Sequence, residues 1–160
     1  MKALRRVLAA AVLFSSAVAA QPYVISTYAG GAPPTAPSPA VAGSIGGPTG
    51  VAVDTIGNVY FASRDLNVVF KLDPHGALAR VAGNGRLGYS GDGAPATSAQ
   101  LRLGLGQGVF ISAGLAVDRA GNLFIADTSN HCIRRVSPDG IITTVAGNGT
   151  RGFSGDGGPA

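Results

Sequence analysis

The chain of 160 residues has no tryptophan and no glutamate, a single methionine, a single cysteine and two histidines, and charged residues make up only 12% of it. These absences narrow the chemistry. A calcium loop of the EF-hand kind closes with a bidentate glutamate, and none is present. His75 and His131, with no glutamate to help them, leave few ligands for zinc. The lone Cys132 cannot form an internal disulfide; it is either a buried small hydrophobe or a free thiol, and its strand context favours burial. Its neighbour His131 would point to the opposite face of a strand, which argues against a thiol–imidazole pair. No GxSxG nucleophile elbow occurs. The phrases "GNGRLG" and "GNGTRG" lack the lysine and following helix of a phosphate loop.

What is present is apolar and turn-rich: 46% hydrophobic residues, 25 glycines and 10 prolines. That content suits one domain with a core and frequent turns rather than a disordered chain. The first 20 residues stand apart. Lys2, Arg5 and Arg6 precede a short apolar run at 7–14, and small residues at 17–20 offer a cleavage site, which is the pattern of a secretory signal. The apolar run is too short for the ~20 residues of a membrane span, and no cysteine follows it to carry a lipid. The expectation is a secreted or periplasmic protein with no stable membrane anchor after cleavage. Without Lys2, Arg5 and Arg6, nine of the 12 basic residues remain against eight acidic ones, so the formal charge of +4 falls to near +1. A nucleic-acid partner is therefore not expected.

The dominant feature is a repeat. "GVAVDTIGNVYFASRDLNVVFKLDPHGALARVAGNGRLGYSGDGAPA" at 50–96 returns as "GLAVDRAGNLFIADTSNHCIRRVSPDGIITTVAGNGTRGFSGDGGPA" at 114–160. The offset is 64 throughout, no gap is needed, and about 45% of positions are identical. A partial third copy, "VISTYAGG" from Val24, matches "IITTVAGN" from Ile141. Each unit predicts four short strands: 50–53, 58–62, 68–72 and 78–82 in the first, and 114–117, 122–126, 132–136 and 142–146 in the second. "DTIGN" and "DPHG" supply turns between them. The strands show no clean alternation, as expected where both faces are packed. A repeated four-stranded unit of this length argues a propeller blade.

The phrases "GNLFIADTSNHCIRRV" and "DGIITTVAGNG", with "GVAVDTIGNVYFAS" in the first unit, resemble NHL repeats of the kind common in bacterial secreted proteins. The resemblance runs from about Val24 to Ala160 and implies a β-propeller, usually of six blades. Three departures stand out. Ser63 and Asn67 occupy the places of Asp127 and His131, Cys132 stands where the family often has arginine, and "LGLGQGVFI" lengthens the link between units. The expected architecture is all-β: a partial β-propeller of two four-stranded antiparallel NHL-type blades plus one leading strand, after an N-terminal signal helix. It divides into the signal at 1–20, the leading strand and Gly/Pro/Ala-rich connector at 21–49, a blade at 50–96, a connector with an insertion at 97–113 and a blade at 114–160. The chain reads as truncated after the second blade, with the remaining blades of its full-length chain as its first partners.

Each candidate site has a structural reading beside it. Asp54 and Asp118 end the first strand of each unit; they could form a carboxylate ring for a metal or, the favoured reading, accept backbone N–H groups in the next turn. Asp92 and Asp156, within "SGDG", are weak metal candidates, and a turn in which they bond nearby backbone is favoured. Tyr89 and Phe153 would anchor these loops on a blade. Asp127, Asn130, His131 and Arg134 form either a polar binding patch or a hydrogen-bonded corner between strands. No catalytic residue and no cofactor is implied. The expected function is a binding scaffold for a protein or an extracellular polymer. The alternative is part of a lactonase- or lyase-like propeller enzyme whose metal and catalytic residues lie in other blades.

Overall fold

The chain turns where aspartate, asparagine and glycine together can close a tight corner. Asp54 Oδ1 accepts the backbone N–H groups of Ile56 (3.1 Å) and Asn58 (2.9 Å), and its Oδ2 accepts the Asn58 side-chain amide at 2.7 Å. Asp118 repeats this with the Asn122 backbone (2.8 Å) and side chain (2.7 Å). Such a carboxylate satisfies donors that the turn would otherwise leave without partners. The favoured reading of Asp54 and Asp118 as turn residues is what the geometry shows.

A computed structural model describes residues 38–39, 44–104, 113–152 and 157–158. Among these, nine strands are assigned: β1 (Ser38–Pro39), β2 (Pro48–Val53), β3 (Val59–Ser63), β4 (Val68–Leu72), β5 (Ala77–Ala82), β6 (Leu115–Val117), β7 (Leu123–Asp127), β8 (Cys132–Val136) and β9 (Ile142–Ala146). They form two antiparallel sheets, ordered β1-β5-β4-β3-β2 and β6-β7-β8-β9. The four strands of each repeat thus pair in sequence order, as expected of two blades. Matching ladder irregularities fall between Val69 and Phe70 in the first sheet and between Ile133 and Arg134 in the second, again 64 residues apart.

Two features of the structure stand outside the sequence expectation. The leading strand expected at 24–28, like the signal segment, lies outside the described residues, and the added strand of the first sheet is β1, with Ser38 opposite Leu78 and Pro39 opposite Ala77. Alternation, not expected from the sequence pattern, is present in the second blade. Leu123, Ile125, Asp127, Cys132, Arg134 and Val136 are buried, while Phe124, Ala126, Ile133 and Arg135 between them are more open. That blade packs one face against the first blade. In β4, by contrast, Val68, Val69 and Phe70 are consecutive and all buried, so the first blade is covered on both sides there.

The main core lies between the blades. Ala62, Val69 and Ala82 of the first blade meet Leu123, Ile125, Val136 and Ile142 of the second, and the connector inserts Ala96, Ala99, Leu101 and Leu103 among them. Small side chains on the first blade face the larger leucines of the connector across this core. A second cluster gathers Phe70, Val68 and Leu78 with Ile45, Phe61 and Leu66 on the far side of the first blade. Among the described residues no helix is long and apolar enough to cross a membrane.

Candidate functional site

The β3–β4 loop, the β7–β8 loop and the connector that follows β5 meet at one end of the blades. Asn67 and His131, at equivalent places in the two loops, both take left-handed backbone, with φ of 50° and 52°. Asparagine tolerates this well, which matches its use at the first position. His131 therefore lies just outside β8, capping the single helical turn Thr128–Asn130, and is not the strand residue its neighbours suggested.

The connector is fastened to both loops. Asn67 Oδ1 accepts the N–H of Leu103 at 3.2 Å. Asp127 Oδ1 accepts the N–H of Arg102 at 2.7 Å, and the carbonyl of Arg102 accepts the N–H of Ser129 at 3.1 Å. Asn130 donates from Nδ2 to the Gly88 carbonyl at 2.7 Å and to Asp127 Oδ2 at 2.9 Å.

Arg134 is the centre of the arrangement. Its side chain is fully buried, yet it belongs to β8 and reaches the connector 42 residues earlier. Nη2 donates to Asp92 Oδ1 at 2.7 Å and to the Ser90 carbonyl at 3.1 Å, and Nη1 lies 3.4 Å from Asp127 Oδ2. The guanidinium carbon also sits 4.9 Å from the centre of the Tyr89 ring, whose hydroxyl meets Thr144 Oγ1 at 2.9 Å. A buried guanidinium needs such partners, because an uncompensated one would carry a large desolvation cost.

The two carboxylates respond in opposite directions. Burial is the largest influence on both. In Asp127 it prevails and raises the pKa despite hydrogen bonds from Asn130 and Arg102 and the charge of Arg134. In Asp92, which is 46% exposed, hydrogen bonds from Thr144 and Arg134 outweigh it and lower the pKa. The shorter contact of Asp92 to Arg134 is consistent with that ordering. Cys132, opposite Asp127 in the ladder, is raised to about 11, first by burial and then by the negative charge of Asp127.

The four residues singled out from the second repeat are therefore brought together, with Asp127, Asn130 and Arg134 bonded within the chain and His131 exposed beside them. Asp92 does occupy a turn, in which the N–H of Ala94 reaches the Gly91 carbonyl at 3.0 Å. Its carboxylate, however, goes to Arg134 of the next blade rather than to nearby backbone. Asp156 and Phe153 lie outside the described residues. Tyr89 anchors its loop as expected, through Arg134 and Thr144. The roles of Asn67 and Arg102 carried no sequence signal, since each depends on the path of the connector. Among the described residues no three His, Cys, Asp or Glu side chains are grouped closely enough to hold a metal ion.

Residues 113–136 match the family described as NHL repeat. No curated protein matches the chain. One similar solved structure is described as "Streptogramin B lyase structure"; it shares 17% identity and a TM-score of 0.41 over 61% of this chain and 26% of that one. The chain thus spans about a quarter of the length of that protein. The matched segment runs through the first three strands of the second blade, and the first blade repeats it strand for strand 64 residues earlier. The chain thus carries an NHL repeat at residues 113–136, within the four-stranded antiparallel second sheet.

Proposed function

We propose that this chain is an exported NHL-type propeller segment whose blades serve as a binding scaffold for a protein or an extracellular polymer. The observation that supports the reading is the end where the loops and connector meet. There, backbone and side-chain bonds pin the loops to the blades, while Arg86, Arg102 and His131 are exposed and Arg64 is partly so. Loops held rigid at their base with free polar tips are suited to recognition. Asp54, Asp118 and Asp127 are each engaged by neighbours of the same chain, which leaves none of the three free to serve as a base or metal ligand in these two blades.

The test is binding of the purified exported chain to immobilised envelope polymers and envelope proteins of the producing cell. Alanine at Arg86, Arg102 and His131 together should weaken a measured interaction by about tenfold or more without moving the thermal midpoint. An interaction untouched by all three substitutions would overturn the assignment of this end, and turnover of a lactone substrate by the same protein would replace the scaffold with an enzyme.

A further inference from the structure

The outer strand of each blade is flanked by chain arriving from the preceding junction, and in the same register. Pro39 lies opposite Ala77 in the first blade, and Pro95 lies opposite Ile141 in the second, with Ala77 and Ile141 equivalent in the repeat. Gly50 follows Pro39 by 11 residues and Gly114 follows Pro95 by 19, so the two junctions differ by eight residues of link. The junctions also differ in charge. The one entering the second blade carries Asp92, three residues before its proline, and delivers it to Arg134. The one entering the first blade contains no acidic residue, and none occurs anywhere in residues 1–53. The receiving blades differ to match. Where the second has Asp127, Asn130 and Arg134, the first has Ser63, Leu66 and Phe70. Phe70 is fully buried, its ring 5.4 Å from that of Phe61, and Leu66 and Ile45 pack on the same cluster.

We propose that these positions form a matching device between junction and blade. An acidic Ser-Gly-Asp-Gly junction docks on a blade with the Asp127–Asn130–Arg134 slot, and an uncharged junction docks on a blade with the Ser63–Leu66–Phe70 slot. The crossed pairings are penalised. Asp92 over Phe70 would be desolvated with no cation, and Arg134 beneath an uncharged junction would keep only one of its two ion pairs, the 3.4 Å contact to Asp127. Two blades whose sequences agree at about 45% of positions have interchangeable strand patterns, so a charge-coded slot sets which junction each accepts during folding.

Amide hydrogen exchange on the full chain tests this at two positions. The N–H of Gly93 bonds to the Ile142 carbonyl and that of Ala96 to the Gly140 carbonyl, each at 2.8 Å, so both report docking of the junction. Asp92→Asn should raise exchange at both by about tenfold while leaving β3 and β4 unchanged. Arg134→Phe alone should do so at least as strongly. Combining Asp92→Ala, Asp127→Ser, Asn130→Leu and Arg134→Phe converts this junction to the uncharged kind and should bring exchange back to within about threefold of the parent. Should Arg134→Phe fail to fold, the other two variants still decide. Parental protection in Asp92→Asn would overturn the proposal, and so would a combined variant that exchanges as fast as, or faster than, Asp92→Asn.

Discussion

Gly83 and Gly147 hold the same place in the two blades, immediately after β5 and β9. A Cβ at either would stand 2.3 Å from a backbone carbonyl oxygen, that of Asn67 or His131, and φ is +84° and +83°. No side-chain rotation can relieve a clash with backbone. Gly83→Ala is therefore expected to cost about 3 kcal/mol or more, because steric overlap adds to left-handed strain. Gly76, with φ of +85° and no atom within 4 Å of where a Cβ would stand, isolates the strain alone, and Gly76→Ala should cost about 1 kcal/mol. Urea denaturation of the two variants separates these contributions; equal losses would show that the close approach to Asn67 is unimportant. Cys132 gives a second prediction at this scale. With its thiol pushed up to about 11, chiefly by burial, the thiolate is scarce at pH 8. Native labelling should proceed only as fast as the chain unfolds, and rapid labelling of the folded protein would contradict the buried placement.

Arg134 works between elements, joining β8 and β7 to the connector from β5. Arg134→Met keeps much of the stem's packing and removes the charge that compensates Asp127, so a loss of about 3–5 kcal/mol is expected in thermal or urea unfolding. A loss under about 1 kcal/mol would mean that Asp127 finds other compensation. The pH dependence follows from the directions of the shifts. Asp54, Asp92 and Asp118 have folded pKa values below the ordinary 3.8, so the stability they contribute is full above about pH 4 and fades as pH falls through their folded values. Asp127 is shifted the other way. Its folded form holds a proton where the unfolded chain has lost it, so this group lowers stability as pH rises from 3.8 through its raised value. The melting temperature should therefore pass through a maximum in mild acid. Asp127→Asn should abolish the decline on the neutral side of that maximum while keeping the fall below pH 4. An unchanged profile in Asp127→Asn would remove Asp127 as its cause.

At the scale of the whole molecule, the exposed large apolar side chains among the described residues fall in loops, at Ile56 and Leu87, and on the strands of both blades. Val51 and Val53 are 63% and 59% exposed on the inner strand of the first blade, and Ile133 and Val145 of the second are 37% and 38% exposed. Exposed apolar side chains two residues apart on one strand, as Val51 and Val53 are, favour association. Residues 21–160 expressed alone should self-associate in sedimentation experiments, and Val51→Thr with Val53→Thr should shift them toward monomer. A monodisperse parent chain would show that these strands are soluble as they stand. Export is tested separately: intact mass should place the mature N-terminus at Ala20 or Gln21, and a mass retaining residues 1–19 would refute cleavage.

Much of the fold was legible in the sequence because it is built from local instructions. The strands expected at 68–72, 132–136 and 142–146 are β4, β8 and β9 as observed, and the others shift by a residue or two at their ends. Turn chemistry explains this: Asp54 and Asn58, or Asp118 and Asn122, are four residues apart and close a corner by themselves. The internal repeat then showed that the same instructions run twice. What only the tertiary structure decided is where each blade's surplus polar groups find partners. Asp92 read as a local turn residue, and Arg134 as part of a polar patch or a corner within its own blade. Their ion pair spans 42 residues and joins the buried Arg134 of the second blade to a half-exposed Asp92 on the link from the first. Its existence depends on the angle and distance at which those blades pack, which no short stretch of sequence encodes, and its absence from the other junction is intelligible only once Pro39 and Pro95 are seen in the same register.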